Sequence, residues 1–274
     1  MARTRAPSAT PCNGDRKLTT GARSVSWALA QYAHAMTDIK VDKKPSAPKW
    51  EIDARDSIRK AIRRYTKPLQ EIVARDANEG DTRLLVTDFL CEGLGFDKFE
   101  DLSTEFAVRG EFADYGVRID KQLVAFIEVK RAAQKLGVKH LRQVETYAVK
   151  EGLEWLILTN GQSWQAYHTY AKTGQQVATH LVLEVDILGD GPIAQKIDDL
   201  FYLHRIALKR GRIDELWKRK AATSAVALSD VLLTDSVIAA VRKEIRRASG
   251  YHPEPTELVR IIRSEVVRPD LLVR

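Results

Sequence analysis

The segment FADYGVRIDKQLVAFIEVKRA, residues 112–132, carries the pattern that decides the fold. ADYGVRI and LVAFIEVK are short, rich in β-branched and aromatic residues, and separated by charged and polar residues, which is typical of a β-hairpin. Because side chains alternate along a strand, Glu128 and Lys130 share one face of the second strand. The predicted hairpin brings these two residues close to a third charged residue, Asp114.

The length of the turn decides which residues of the hairpin face each other. A turn of two residues, Asp120–Lys121, would place Asp114 opposite Ile127 and on the wrong face for Glu128. A turn of three residues, 120–122, places Asp114 directly opposite Glu128 and gives both faces a consistent polarity. We therefore expect the longer turn. The apolar pairs that it predicts are Tyr115 with Ile127 and Val117 with Ala125.

Two helices are predicted before the hairpin. Apolar residues recur at helical spacing in WEIDARDSIRKAIRRYTKPLQEIVARDA, residues 50–77, with a break expected before Pro68. The second helix lies in EGDTRLLVTDFLCEGLGF, residues 79–96, where Gly93 and Gly95 mark its end.

The residues after the hairpin predict a crossover connection. KLGVKHLRQVETYAVKEG has helical spacing, and the buried-strand pattern EWLILTNG follows it. A strand, a helix and a second strand form a crossover unit, so EWLILTNG is expected to run parallel to LVAFIEVK. QSWQAYHTY and THLVLEVDIL add strands at the far side of the sheet.

These elements predict an α/β fold with a mixed central sheet flanked by helices and a helical C-terminal extension. Residues 1–48 are rich in Arg, Lys, Ser, Thr and Pro, and are expected to form a mostly disordered basic arm. The sheet-containing domain is predicted over residues 49–190 and the helical region over 191–274. Apolar stripes in that region predict either packing on the sheet domain or pairing of two subunits into a homo-oligomer.

The composition favours a polyanionic partner in a reducing compartment. The net charge of +7 and the pI of about 9.3 favour nucleic acid. Two distant cysteines, Cys12 and Cys91, exclude a zinc ribbon and a disulfide framework, and suit the cytoplasm. No apolar run has membrane-spanning length, and the phosphate-loop pattern GxxxxGK[ST] is absent from the sequence, so neither a membrane partner nor an ATP site is expected.

The charged end of the hairpin has the chemistry of a metal-dependent phosphodiesterase. Two carboxylates a few ångströms apart repel each other unless a cation lies between them, and hard oxygen ligands suit Mg²⁺ or Mn²⁺. A neighbouring lysine can orient a water molecule or stabilise a pentacovalent phosphate. The other interpretation is that these charges form only the solvated side of a half-buried hairpin.

Residues 70–170 resemble the N-terminal nuclease domain of the type I restriction endonuclease R subunit, which belongs to the PD-(D/E)xK superfamily. The resemblance rests on an ordered series of short stretches. They are NEGDTR at 78–83, ADYGVRI, FIEVKRA, QVETY at 143–147 and LTNGQSWQAYH at 158–168. It implies a restriction-endonuclease-like fold and Mg²⁺-dependent cleavage of DNA in a prokaryotic or phage-encoded protein.

The resemblance also implies a role for each matched residue. Asp114 and Glu128 would bind metal, aided by Glu79 of the first core helix and by the Val129 carbonyl. Lys130 would position the attacking water.

Two further matches lie on the crossover helix. Gln143 and Tyr147 match a Q-x-x-x-Y element and would support the lysine and the DNA; four residues apart, they share one helix face. Ala113 stands where the family often has Pro, at a position that varies. Basic groups beside the site, Arg131, Lys135 and His140, are the predicted nucleic-acid contacts.

Three alternatives stay open at this point. A protein of the same fold that has lost turnover could only bind DNA, and an assembly component could act through its basic arm and C-terminal helices. RNA is a further substrate, because the metal chemistry at a phosphodiester does not depend on the sugar. We expect an endonuclease rather than an exonuclease.

Overall fold

The computed structural model describes residues 46–108, 111–170 and 177–272. Its centre is a mixed sheet of six strands that lie side by side in chain order. The predicted basic arm, residues 1–48, falls almost wholly outside the described residues. The strands are β1 (Leu102–Val108), β2 (Glu111–Ile119), β3 (Gln122–Val129), β4 (Trp155–Thr159), β5 (Ser163–Tyr170) and β6 (Ala178–Asp186).

Helices surround the sheet and continue beyond it, so the predicted α/β class is confirmed. Short turns of other helix types follow at 201–203, 262–266 and 269–271. The α-helices are α1 (Lys49–Ala74), α2 (Glu79–Glu92), α3 (Val138–Glu151), α4 (Ile193–Leu200), α5 (Arg205–Lys209), α6 (Arg212–Ala222), α7 (Ala225–Leu232), α8 (Asp235–Ser249) and α9 (Pro255–Ile261).

One pair of neighbouring strands is parallel and the other four are antiparallel. The parallel pair is β3–β4, in register from Ala125 opposite Trp155 to Val129 opposite Thr159. Helix α3 makes the crossover between these two strands, as parallel neighbours require. The predicted parallel pairing is therefore confirmed.

The predicted break before Pro68 is wrong, because α1 runs through this residue without interruption. A proline in a helix interior costs about 3 kcal/mol. On both sides of Pro68, however, α1 buries apolar side chains in the core, Ile62 and Tyr65 before it and Leu69 and Ile72 after it. Full burial of each such side chain stabilises by about 1.5–3 kcal/mol, so packing outweighs the local cost.

The sheet is packed on both faces, which fixes where β3 points its side chains. Ala125, Ile127 and Val129 face the larger core, where α1 and α2 also pack. Phe126 lies in the smaller core on the other face, with Leu156 of β4 and residues of α3. Glu128 and Lys130 follow Phe126 at alternate positions and so approach the edge of the smaller core.

The larger core continues past residue 190 into the predicted helical region. Leu200, Phe201 and Leu203 are almost fully buried in it, as are Ala207 and Ile213 of α5 and α6. Residues 193–222 thus complete the core of the sheet. The assignment of 191–274 to a separate helical region remains a prediction.

The last three α-helices have few buried side chains. Helix α8 is capped at its C-terminus by Gly250, which has the left-handed conformation. Its buried apolar residue is Ile238, whereas Leu232 at the end of α7 is 40% exposed. Whether these helices pair two subunits stays a prediction. None of the helices in the described residues is long and apolar enough to span a membrane.

Candidate active site

The hairpin turn has two residues, so the predicted three-residue turn is wrong. Ile119 pairs with Gln122 across Asp120 and Lys121. Both turn residues have positive φ, 50° and 70°, which is the conformation that matches the twist of two-residue hairpins. The sequence did not predict this turn, because the turn residues are Asp120 and Lys121 and not the Asn-Gly pair that usually indicates a two-residue hairpin.

A β-bulge then restores the register that the longer turn would have given. The pairing shifts between Val117 and Arg118, which leaves Val124 as the extra residue of β3. Beyond the bulge the two predicted apolar pairs are confirmed: Tyr115 lies opposite Ile127 and Val117 opposite Ala125.

This register brings Asp114 to the end of β3 that carries the charged residues. Asp114 Oδ2 accepts a hydrogen bond from the backbone N–H of Val129 at 2.7 Å, between Glu128 and Lys130 in the chain. The Asp114 side chain is 13% exposed. The structure therefore joins the three residues that the sequence placed together, and the main chain fixes one of the two carboxylates.

Glu128 and Lys130 form the buried centre of the cluster. Lys130 Nζ donates to Glu128 Oε1 at 2.5 Å. Glu128 Oε2 is buried and has no hydrogen-bond partner among the described residues. Burial raises the pKa of Glu128, the hydrogen bond from Lys130 lowers it, and the charge of Asp114 raises it further; the net direction is upward.

The lysine is held in its charged form by the same contacts. Burial lowers the pKa of Lys130, but the hydrogen bond and charge of Glu128 outweigh burial, and the net pKa is raised. Lys130 is therefore an ammonium at neutral pH, suited to orienting water or stabilising anionic oxygen, and poorly suited to accepting a proton.

Glu79 lies at the rim of this cluster, as predicted. Its Oε2 is 4.0 Å from Lys130 Nζ, and its side chain is 40% exposed. The position follows from the start of α2, where the Asn78 side chain caps the helix by accepting from Asp81 N at 2.8 Å. The cap fixes the first turn of the helix and points Glu79 toward the lysine.

Two polar residues outside the predicted site anchor the loop that follows Lys130. Thr82 Oγ1 accepts from Ala132 N at 3.0 Å, and Asn160 Nδ2 donates to Gln134 O at 2.9 Å. The side-chain oxygen Oδ1 of Asn160 also accepts a hydrogen bond from Ser163 N at 2.6 Å, which connects the turn between β4 and β5 to the same loop. The stretches NEGDTR and LTNG thus have structural roles that hairpin spacing alone does not reveal.

Arg83 is a second contact that sequence reasoning missed. Its Nη1 lies 3.1 Å from Asp114 Oδ1 and 3.9 Å from a Glu105 oxygen. A signal was present in the sequence, because Arg83 follows Glu79 by four residues and so shares its face of α2. The spacing of four residues places Arg83 beside Asp114 and Glu79 beside Lys130.

The three predicted nucleic-acid contacts occupy different environments. Arg131 is exposed and pairs with Asp76 at 3.2 Å, and Lys135 is exposed on a groove of about 420 Å³. His140 is 8% exposed, and its Nδ1 accepts from Gly137 N at 3.2 Å. Its Nε2 lies 2.8 Å from Gln134 Nε2, and burial lowers the pKa of His140. In this arrangement His140 fastens the start of α3 instead of facing solvent.

The other predicted supporting residues, Gln143 and Tyr147, lie within α3. Their side chains fall outside the described part of the structure, so their predicted roles stay predictions.

The donor set suits a hard divalent cation. Asp114 and Glu128 offer carboxylate oxygens, and the bare Glu128 Oε2 is a buried acceptor with capacity for a ligand. Within residues 46–108, 111–170 and 177–272, no three His, Cys, Asp or Glu side chains converge as a metal-binding group. Mg²⁺ commonly uses only one or two protein carboxylates, with waters and substrate phosphate as its other ligands, so the two residues fit the predicted Mg²⁺ or Mn²⁺.

Comparisons with protein-family models, with curated proteins and with solved structures find no match for this chain.

Proposed function

We propose that this chain is a metal-dependent nuclease that hydrolyses DNA phosphodiesters, with a restriction-endonuclease-like domain related to the N-terminal nuclease domain of type I R subunits. One observation supports the proposal. Asp114 accepts a hydrogen bond from the Val129 N–H, which lies between Glu128 and Lys130 in the chain, and the buried Glu128 keeps one oxygen without a partner in the described residues. A merely solvated hairpin edge would not bury this oxygen at a cost of about 1–3 kcal/mol.

Each residue of the cluster has a role in this chemistry. Asp114 and Glu128 would hold Mg²⁺ or Mn²⁺, with Glu79 at the rim. When bound, the ion acts as a Lewis acid on a phosphoryl oxygen. Lys130, protonated and fixed by Glu128, would orient the attacking water and stabilise the negative charge that develops on the phosphate.

The surroundings of the site suit a polyanionic substrate. Arg131 and Lys135 lie on the loop directly after Lys130, where exposed cations would contact the phosphate backbone without reading sequence. The net charge of +7 supports the same substrate class. Gln143 and Tyr147 on α3 remain the proposed supports of the lysine and the DNA, and an endonuclease remains the expected mode.

A second candidate function is a DNA-binding or assembly protein without turnover. One observation favours it: both carboxylates already face a cation of the chain itself, Lys130 on Glu128 and Arg83 on Asp114. Such pairs lower the local negative charge that attracts a divalent ion.

Cleavage assays separate the two functions. Supercoiled and linear DNA would be incubated with Mg²⁺, Mn²⁺ or EDTA, and Lys130→Ala and Asp114→Ala compared with wild type. Lys209→Ala is the matched control, because it removes a lysine that contacts Asp120 at 2.8 Å at the opposite end of the same hairpin.

We expect metal-dependent cleavage that both site variants lose and the control keeps. A wild type that binds DNA but stays inert with every metal would favour the second candidate. A parallel assay with single-stranded RNA of matched length identifies the sugar that the site accepts.

A further inference from the structure

Arg83 lies beside the carboxylates of the site and is partly exposed to solvent. It lies one helical turn after Glu79, on the same face of α2. Its Nη1 is 3.1 Å from Asp114 Oδ1, while Glu79 reaches Lys130 at 4.0 Å. One face of α2 therefore contacts both halves of the cluster.

The contact between Arg83 and Asp114 holds the guanidinium of Arg83 in place. Asp114 is already fixed by the Val129 N–H at 2.7 Å, a short hydrogen bond from the main chain. The carboxylate does not need the arginine for its position, so the pair is better understood as the aspartate holding the guanidinium.

The guanidinium held in this way retains unused donors. Arginine carries five N–H groups in a planar fork, and in the part of the chain that the structure describes only Nη1 contacts a carboxylate. The Arg83 side chain is 30% exposed, compared with 13% for Lys130. Arg83 is thus the more accessible of the two cations that border the carboxylates.

The local charge balance calls for such a cation. The four carboxylates that contact one another's cations (Glu79, Glu105, Asp114 and Glu128) and the two cations (Arg83 and Lys130) give the cluster a net charge of −2. A divalent ion would neutralise this charge, and an incoming phosphodiester would then add a negative charge. A planar guanidinium is the protein group best matched to phosphate oxygens.

We propose that Arg83, held by Asp114, binds a non-bridging oxygen of the phosphodiester at the site. The inference rests on the proposed function for its cleavage test but not for its binding test. It gives α2 a direct role in recognising the substrate and predicts that the recognised group is the phosphate, independent of base sequence.

The binding test uses a labelled DNA duplex in Ca²⁺, with affinity measured by fluorescence anisotropy over a series of salt concentrations. Arg83→Gln should weaken binding about tenfold and reduce the slope of log affinity against log salt by about 0.9, the value for one lost phosphate contact. Arg75→Gln is the matched control. Arg75 is 62% exposed and pairs at 3.0 Å with Asp81 of α2, the helix that carries Arg83. The control should leave the slope unchanged.

The cleavage test uses bis(p-nitrophenyl) phosphate with Mg²⁺ or Mn²⁺, because this substrate offers one phosphodiester and no DNA backbone. Arg83→Lys keeps the charge but loses the fork, and should raise KM several-fold with the metal half-saturation unchanged. If the thermal unfolding midpoint shows that Arg83→Gln does not fold, Arg83→Lys replaces it in the binding test.

The outcomes are distinguishable. If the wild type is inert but Arg83→Gln loses affinity and slope, the phosphate contact stands and the nuclease function fails. If Arg83→Gln binds DNA as the wild type does, or Arg83→Lys shifts only the metal half-saturation, the arginine serves Asp114 alone and the inference is overturned.

Discussion

Asp101 and Glu128 each pair with a basic side chain, and each has only 4% of its side chain exposed. At Asp101 both oxygens have partners: Arg205 donates to both of them, and Asp97 N donates to Oδ2 at 2.8 Å. At Glu128 one oxygen has Lys130 and the other has no partner among the described residues. Equal burial therefore accompanies very different degrees of hydrogen bonding.

The difference distinguishes Asp101, whose two oxygens are both hydrogen-bonded within the fold, from Glu128, which we propose binds a metal ion. A fully hydrogen-bonded buried carboxylate costs little to keep and is costly to remove. A buried oxygen without a partner destabilises the fold by about 1–3 kcal/mol, and such groups concentrate where another ligand is needed. The two residues should consequently respond to substitution in opposite ways.

The largest expected effect is on activity, at Glu128. Glu128→Gln keeps the shape and the contact with Lys130 but removes the charge, so cleavage of DNA in Mg²⁺ should fall at least about a thousandfold. The free energy of unfolding in urea should change by less than about 1 kcal/mol, because a neutral amide is easier to bury. A variant that cuts DNA at the wild-type rate would remove Glu128 from the site.

The next largest effect is on stability, at Asp101. Asp101→Ala leaves Arg205 without its carboxylate, and the free energy of unfolding should fall by about 3 kcal/mol. The kcat of the folded fraction should stay within about twofold of wild type, since the described side-chain contacts of Asp101 are with Arg205 and Asp97 N and not with Asp114, Glu128 or Lys130. Urea denaturation followed by fluorescence gives the first number, and a kcat well below this range would contradict the comparison.

His204, next to Arg205, is expected to make the stability of this region depend on pH. Burial, with a smaller contribution from the Arg205 charge, lowers the pKa of His204 to about 4. The unfolded chain takes up this proton at a higher pH than the folded chain does. Stability should therefore fall as the pH drops from 6.5 toward 4, by about 2–3 kcal/mol at pH 4.5.

His204→Asn tests this expectation. Asparagine can replace the Nδ1 contact that caps α5 at Ile206 N, and it does not titrate. Urea denaturation of both proteins at pH 7 and pH 4.5 should show a smaller loss in the variant. Equal losses in the two proteins would place the acid sensitivity elsewhere.

The smallest effect is expected at the bulge. Deletion of Val124 removes the extra residue of β3 but leaves Val117 opposite Ala125 and Tyr115 opposite Ile127. The site should survive, with cleavage within about threefold of wild type and a stability loss of about 1 kcal/mol from missing packing. Complete loss of cleavage in a folded deletion variant would mean that the bulge itself shapes the site.

The bulge also shows how far the sequence can predict this hairpin. Polarity on two faces correctly predicted the pairs at the charged end, because a register shift would have buried the wrong side chains. It could not reveal that a short turn and a bulge at Val124 produce this register together. Turn conformation depends on φ at Asp120 and Lys121, where the residue types give little signal.

The site was predictable to a similar depth. Spacing along β2 and β3 brought Asp114, Glu128 and Lys130 together, as the structure shows. The unpartnered oxygen of Glu128 depends on three-dimensional packing, which strand spacing does not contain; the spacing of Glu79 and Arg83 indicates a shared helix face but not that Arg83 contacts Asp114. The break expected at Pro68 failed for the same reason, since tertiary burial decided the outcome.

The buried residues of 193–222 have a consequence for the order of folding. Chains emerge from the ribosome with the N-terminal part first, so the strands are made before the segment that covers them. Helix α4 packs against both β6 and α1, and Leu200 and Phe201 fill the core that these elements form. Until that segment is synthesised, α1 and α2 leave part of the apolar face of the nascent sheet uncovered, so the sheet that carries the hairpin is completed only when residues 193–222 have been made.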